Sequence, residues 1–387
     1  MKRKVLAIVI GAIVIGGGVT GFLAYYYVNR LYLPICIDTP FSNFPVDMSK
    51  ISSITPLGNL NPPGHTFPTD HMYFYTNTTK YPKGFAIYAP GAIIINTLSK
   101  VEYSNPHNNI TEDYTIDFDV CRDVWGRFGH VNNLSTYLWI NIGGFGAEYG
   151  DRVDTWQVAG DTYTAYKKSL SLTVVAGQEL GVAGWGGGYD FWLKDDRVTL
   201  SWVNGEWTQE FQHTVCPLAY FTESLRNAMQ LKLTDWSGAP VNPANYCGKV
   251  DFDVPNTAQG IWTRQDYMNR AEDYGLSLVY SNFNASKGVI SIGNAANSSW
   301  DSRAYTFNPA GDGYRNRVFD EVTNDGTVYY YFCDQFSYGA GYNKVILLKM
   351  TDNRQVRLQF ISYGGGTLLP SDPRPLWNVT KSVLYMR

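Results

Sequence analysis

Val175-Ala176-Gly177-Gln178-Glu179-Leu180-Gly181-Val182-Ala183-Gly184, followed by Gly186-Gly187-Gly188-Tyr189-Asp190-Phe191-Trp192, governs how the first half of this chain is read. Its glycine run leads into a strand, not a helix. A phosphate cradle needs a glycine loop that opens a helix, so that reading fails here. Gly364-Gly365-Gly366 and the Gly339–Gly341 pair fail in the same way. After the glycines, Tyr189, Asp190 and Phe191 alternate. On a strand, Asp190 then points to the face opposite both rings.

The composition fits a β-rich chain. Of 387 residues, 17% are charged and 15% aromatic, with 29 Tyr. Few charges with many Tyr, Asn, Gly and Trp suit an extracellular β surface, where aromatics favour strands and hydroxyls keep exposed faces wet. The same composition would suit a carbohydrate-facing surface, but sheet packing explains it without a ligand. A net charge of −3 gives no basic field for nucleic acid. The length suggests two domains.

The compartment is read from the N-terminus. Lys2-Arg3-Lys4 precede an uncharged run from Val5 to Val28. As a helix that run spans about 36 Å, enough to cross a hydrocarbon core with tilt. Tyr25-Tyr26-Tyr27 reads as an interfacial anchor. Residues 1–29 are therefore expected to be a single-pass transmembrane signal anchor in the cell membrane, with the bulk of the chain extracellular. A cleaved signal peptide is the alternative. The five Cys, at 36, 121, 216, 247 and 333, would oxidise outside the cell. One bridge per domain gives Cys121–Cys216 and Cys247–Cys333 and leaves Cys36 near the membrane, although sequence does not fix connectivity. Glycosylation sequons stand at Asn77, Asn109, Asn133, Asn284, Asn297 and Asn378.

Five segments follow. After the anchor comes a Pro-containing stalk, 30–60. A β-domain covers 61–236, ending in a helix at 222–233 that Thr222 can cap. A linker spans 237–245, and a second antiparallel β-barrel or sandwich occupies 246–387. In the first domain, Tyr114–Cys121 and Val198–Val203 show period-2 patterning, the latter ending at an Asn204-Gly205 turn. In the second, strands are expected at 249–254, 276–281, 288–292, 303–307, 327–333, 344–350 and 355–361. Turns fall at Asn324–Thr327 and Asp352-Asn353. Asp117, Asp119 and Asp123 lack the glycine and terminal Glu of a calcium loop.

Four segments, in order, resemble the lysostaphin-type zinc endopeptidases. They are His65–His71, Phe85–Ile94 with its Ala89-Pro90-Gly91 turn, Phe128-Gly129-His130-Val131 with Leu134-Ser135, and the opening stretch. The resemblance covers roughly residues 60 to 195. It implies a β-barrel/sandwich hybrid, first metal ligands near His65, Asp70 and His71, and a catalytic role at His130. Two departures matter. His65 and Asp70 are separated by four residues where the family has three. Tyr189 and Phe191 stand where the family's His-x-His pair supplies a zinc ligand, and neither ring can replace an imidazole nitrogen.

The expectation is thus a membrane-anchored, extracellular, non-catalytic binding or scaffold protein on a degenerate peptidase fold, with no resident cofactor. Trp125, Trp185, Tyr189 and Phe191 would line its groove, for a glycan, a peptide or a surface-protein partner. A competing expectation is an active zinc hydrolase with a site rebuilt on His65, Asp70, His71 and His130. A third is a structural subunit of a surface layer or filament, forming homo-oligomers. An exposed apolar patch or an unpaired strand edge would favour it.

Overall fold

The computed structural model describes residues 32–107, 110–158, 161–203, 211–235, 237–241, 246–265, 272–294, 301–311, 313–338, 341–342, 344–362 and 376–387. The expected anchor, the Asn204-Gly205 turn, Gly364–Gly366 and the sequons at Asn109 and Asn297 lie outside them. Among the described residues, no helix is long and apolar enough to cross a membrane.

The fold is mostly β, and the chain divides into two compact units. The first takes residues up to Lys50, Thr76–Arg197 and Ala219–Arg226. The second takes Ile51–Tyr75, Val198–Leu218 and Asn227–Arg387.

Strands β1 (Ile51–Thr55) and β2 (His71–Thr76) are neighbours. The first unit then supplies β3 (Phe85–Tyr88), β4 (Ile93–His107), β5 (Ile110–Asp119), β6 (Val124–Leu134), β7 (Arg152–Val158), β8 (Asp161–Val174), β9 (Glu179–Ala183) and β10 (Gly188–Asp195). They run in the order β10-β6-β5-β4-β8-β7, with β9 joining β6 and β3 joining β9. The patterning read in Tyr114–Cys121 is present, since Tyr114, Ile116 and Phe118 are all buried. Helix α1 (Thr136–Ile142) begins where the Ser135 side chain accepts from the Leu138 N–H at 3.2 Å. It ends at Gly143, whose φ of 68° suits a residue without Cβ. The expected helix near 222–233 is α2 (Glu223–Gln230), with Met229 buried. The expected strand at 198–203 does not form, and Leu200 N–H instead bonds the Gln212 carbonyl.

The second unit holds a nearly closed sheet of eight strands. They are β11 (Gly260–Arg264), β12 (Leu276–Tyr280), β13 (Gly288–Ile292), β14 (Arg303–Phe307), β15 (Tyr329–Tyr331), β18 (Lys344–Asp352), β19 (Gln355–Ser362) and β20 (Val383–Met386). A small pair, β16 (Ser337–Tyr338) and β17 (Gly341–Tyr342), stands apart. The order is β14-β13-β12-β11-β20-β19-β18-β15. Residues two apart fill its interior: Leu276 and Leu278, Ile290 and Ile292, Tyr305 and Phe307, Ile346 and Leu348. Asp352-Asn353 turns β18 into β19 as expected. Asn324–Thr327 is a turn, but it does not join two strands as a hairpin.

The cysteines pair differently from the expectation. The bridges are Cys36–Cys121 in the first unit and Cys216–Cys247 in the second, with Cα–Cα separations of 5.1 and 5.9 Å. Cys333 is a free thiol, wholly buried in the sheet's interior, where Tyr331 and Ile346 pack around it. That burial withholds it from Cys247 and pushes its thiol pKa up.

Candidate functional site

Two histidine neighbourhoods carry the sequence-predicted site residues, one in each unit. The first is made by a bulge. Strand β6 pairs Phe128 with Ile116 of β5, but Val131 with Tyr114. The sum of paired positions rises by one, so β6 carries one extra residue. Around it, Gly129 lies opposite Asp190 of β10. A Cβ at Gly129 would meet the Trp192 ring at 2.7 Å, so the indole occupies the space a side chain would need. His130 takes the left-handed backbone, φ 57°. That turn lifts its side chain out of the core, to which strict alternation after Val124, Gly126 and Phe128 would have assigned it.

The lifted imidazole sits between two carboxylates. Its Nδ1 is 2.5 Å from Asp113 Oδ2, and its Nε2 is 3.3 Å from Asp190 Oδ2. The His130 side chain is 61% exposed, while those of Asp113 and Asp190 are 14% and 7% exposed. Tyr103 donates its hydroxyl to Asp113 at 3.3 Å. The His130 pKa is pushed up to about 9. The hydrogen bond to Asp113 raises it most, partial burial opposes, and the charges of Asp190 and Asp113 add to the rise. A pKa near 9 makes the ring an imidazolium at neutral pH, with Nδ1 hydrogen-bonded to Asp113 and Nε2 in an ion pair with Asp190.

The opposite face of β10 is dry. Tyr189 and Phe191 are 1% and 0% exposed. Phe191 stacks on Phe128 with centroids 4.9 Å apart and packs against Phe41 and Phe221. Tyr189 meets Phe85 and Phe128. The expected groove is therefore corrected: two of its four aromatics are core residues, because alternation on a buried strand sends both inward. Trp185 remains exposed, its indole N–H donating to the Lys83 carbonyl at 2.5 Å. Trp125 donates to Asp196 at 3.3 Å.

The second neighbourhood lies in the other unit. Buried His71 meets Asp70 through Nδ1 at 3.1 Å and packs edge-on to Tyr73 at 4.6 Å. His65 lies 5.5 Å from His71, ring centroid to ring centroid, and its Nδ1 is 3.5 Å from Glu272. Among the described residues, no group of three or more His, Cys, Asp or Glu side chains is arranged to hold a metal ion. The carboxylates weighed for calcium are likewise engaged: Asp117 holds Arg127 with two bonds, and Asp119 accepts from Asn96.

Asp113 was missed by sequence reading. It lies 17 residues from His130, and only the register of β5 against β6 brings the two together. The sequons at Asn77, Asn133, Asn284 and Asn378 are all exposed.

No family model matches the chain, and no curated protein matches it. Among solved structures, one neighbour is a zinc-containing peptidase from Vibrio cholerae, 15% identical. The match covers 41% of this chain and 38% of that one at a TM-score of 0.23. An overlap that slight carries no argument.

Proposed function

We propose that this chain is a non-catalytic binding or scaffold protein on a degenerate lysostaphin-type fold, anchored in the membrane by residues 1–29 and otherwise extracellular. The observation that carries the reading is the state of the three positions where the family's chemistry would reside. Tyr189 and Phe191 are core rings, and His130 is clamped as an imidazolium. Three of the segments that carry the resemblance also supply neighbouring strands, β3, β9, β6 and β10. Exposed sequons at Asn77, Asn133, Asn284 and Asn378 accord with an extracellular chain, and Trp185 offers an exposed aromatic for a glycan, peptide or protein partner.

Elemental analysis of the full chain after zinc loading tests this. The expected result is no stoichiometric zinc, unchanged in His65→Ala and His130→Ala. About one equivalent, lost in either variant, would favour the rebuilt hydrolase.

A further inference from the structure

The two large sheets treat their edges differently. In the second unit, terminal strand β14 is covered by side chains. Gln335 Oε1 accepts the Thr306 N–H at 2.9 Å, as a neighbouring strand's carbonyl would, and Gln335 Nε2 donates to Thr306 Oγ1 at 3.0 Å. Asp334 accepts from the same hydroxyl at 3.2 Å and holds Lys287 at 3.1 Å. That edge is closed to another chain.

Terminal strand β7 of the first unit has no such cover among the described residues. It pairs with β8 without a register break from Arg152↔Lys167 to Val158↔Asp161. Its seven residues contain no proline and no bulge, two of the devices by which proteins blunt an edge. Val153 is 42% exposed, and the side chains of Arg152 and Asp154 are 71% and 57% exposed.

We propose that β7 is a dimer edge and that its partner is β7 of a second copy, antiparallel and centred on Val153. The charges select this partner. In that register Arg152 lies opposite Asp154 of the second copy, and Asp154 opposite its Arg152. Alternate residues share a face, so the four charges form a square in which each cation neighbours two anions. The existing pair within the strand, 2.9 Å apart, is one side of that square. On the other face the two Val153 side chains meet. The pairing is isologous, so it closes as a two-fold dimer and does not propagate into a filament. It does not depend on whether the chain binds a metal.

The test is the association state of the full chain in detergent, followed by sedimentation at micromolar concentration. The wild-type chain is expected to dimerise. Arg152→Asp or Asp154→Arg alone sets like charges opposite each other and should weaken association by at least about tenfold. The double reversal Arg152→Asp/Asp154→Arg restores opposite charges and should restore the dimer. These side chains are exposed, and circular dichroism checks that each variant keeps its fold. A monomeric wild-type chain, a dimer indifferent to both single reversals, or a double reversal as weak as the singles overturns the proposal.

Discussion

The two faces of strand β10 do opposite things with consecutive residues. Tyr189 and Phe191 enter an aromatic core with Phe41, Phe128 and Phe221, while Asp190 between them faces an imidazolium. One face is held by area removed from water. The other is held by charges that partly face solvent, where screening reduces what an ion pair contributes.

The comparison is broken most directly from the dry side. Phe191→Ala would remove a wholly buried ring and should cost about 3–5 kcal/mol in unfolding free energy, read by denaturant titration. A loss below about 1 kcal/mol would mean that this face is not a packed core.

On the charged side the expected effect is smaller and depends on pH. The folded-state pKa of His130 is raised from 6.5 to about 9. Its stabilising contribution is therefore fully present below about pH 6.5 and is lost as pH rises through about 9. Unfolding titrations should show wild type more stable than His130→Gln at the acid end of that window, with the two converging at its alkaline end. A difference that grows with pH would contradict the assignment. The smallest effect lies beyond both faces. Ser135→Ala removes the cap of α1 and should cost about 1 kcal/mol, visible as a shift in the denaturation midpoint.

Much of this was legible in the sequence where alternation and burial agree. Strands β12, β13 and β14 stand where short strands are expected at 276–281, 288–292 and 303–307, and each sends every second residue into the interior. The strand expected at 249–254 is absent. Val250 and Phe252 are nonetheless buried there. Asp253 accepts the backbone N–H groups of Val203 and Ile261, so a side chain takes bonds that a ladder would otherwise make. Strand β20 was missed. Its following residue, Arg387, donates to the carbonyls of Val254, Thr257 and Gln259 and stacks on Trp262, a set of contacts that no local pattern announces. The candidate site was half legible. His130 stood out by motif, but its clamp depends on one extra residue in β6 and on Asp113 from another strand. The cysteine pairing was hidden for the same reason: it follows from the folded positions of Cys36 and Cys216, not from their order.

The protonation state of His130 separates a clamped imidazolium from a catalytic or metal-binding group most directly. Side-chain imidazole NMR on the full chain, assigned with His130→Gln, reads it directly across the pH range, with and without zinc. The account predicts an imidazolium at neutral pH, a titration midpoint near 9, and no response to zinc at neutral pH. A neutral ring at pH 7 that titrates near or below 6.5, or one that shifts on adding zinc, would contradict it and return His130 to the list of catalytic or metal-binding groups.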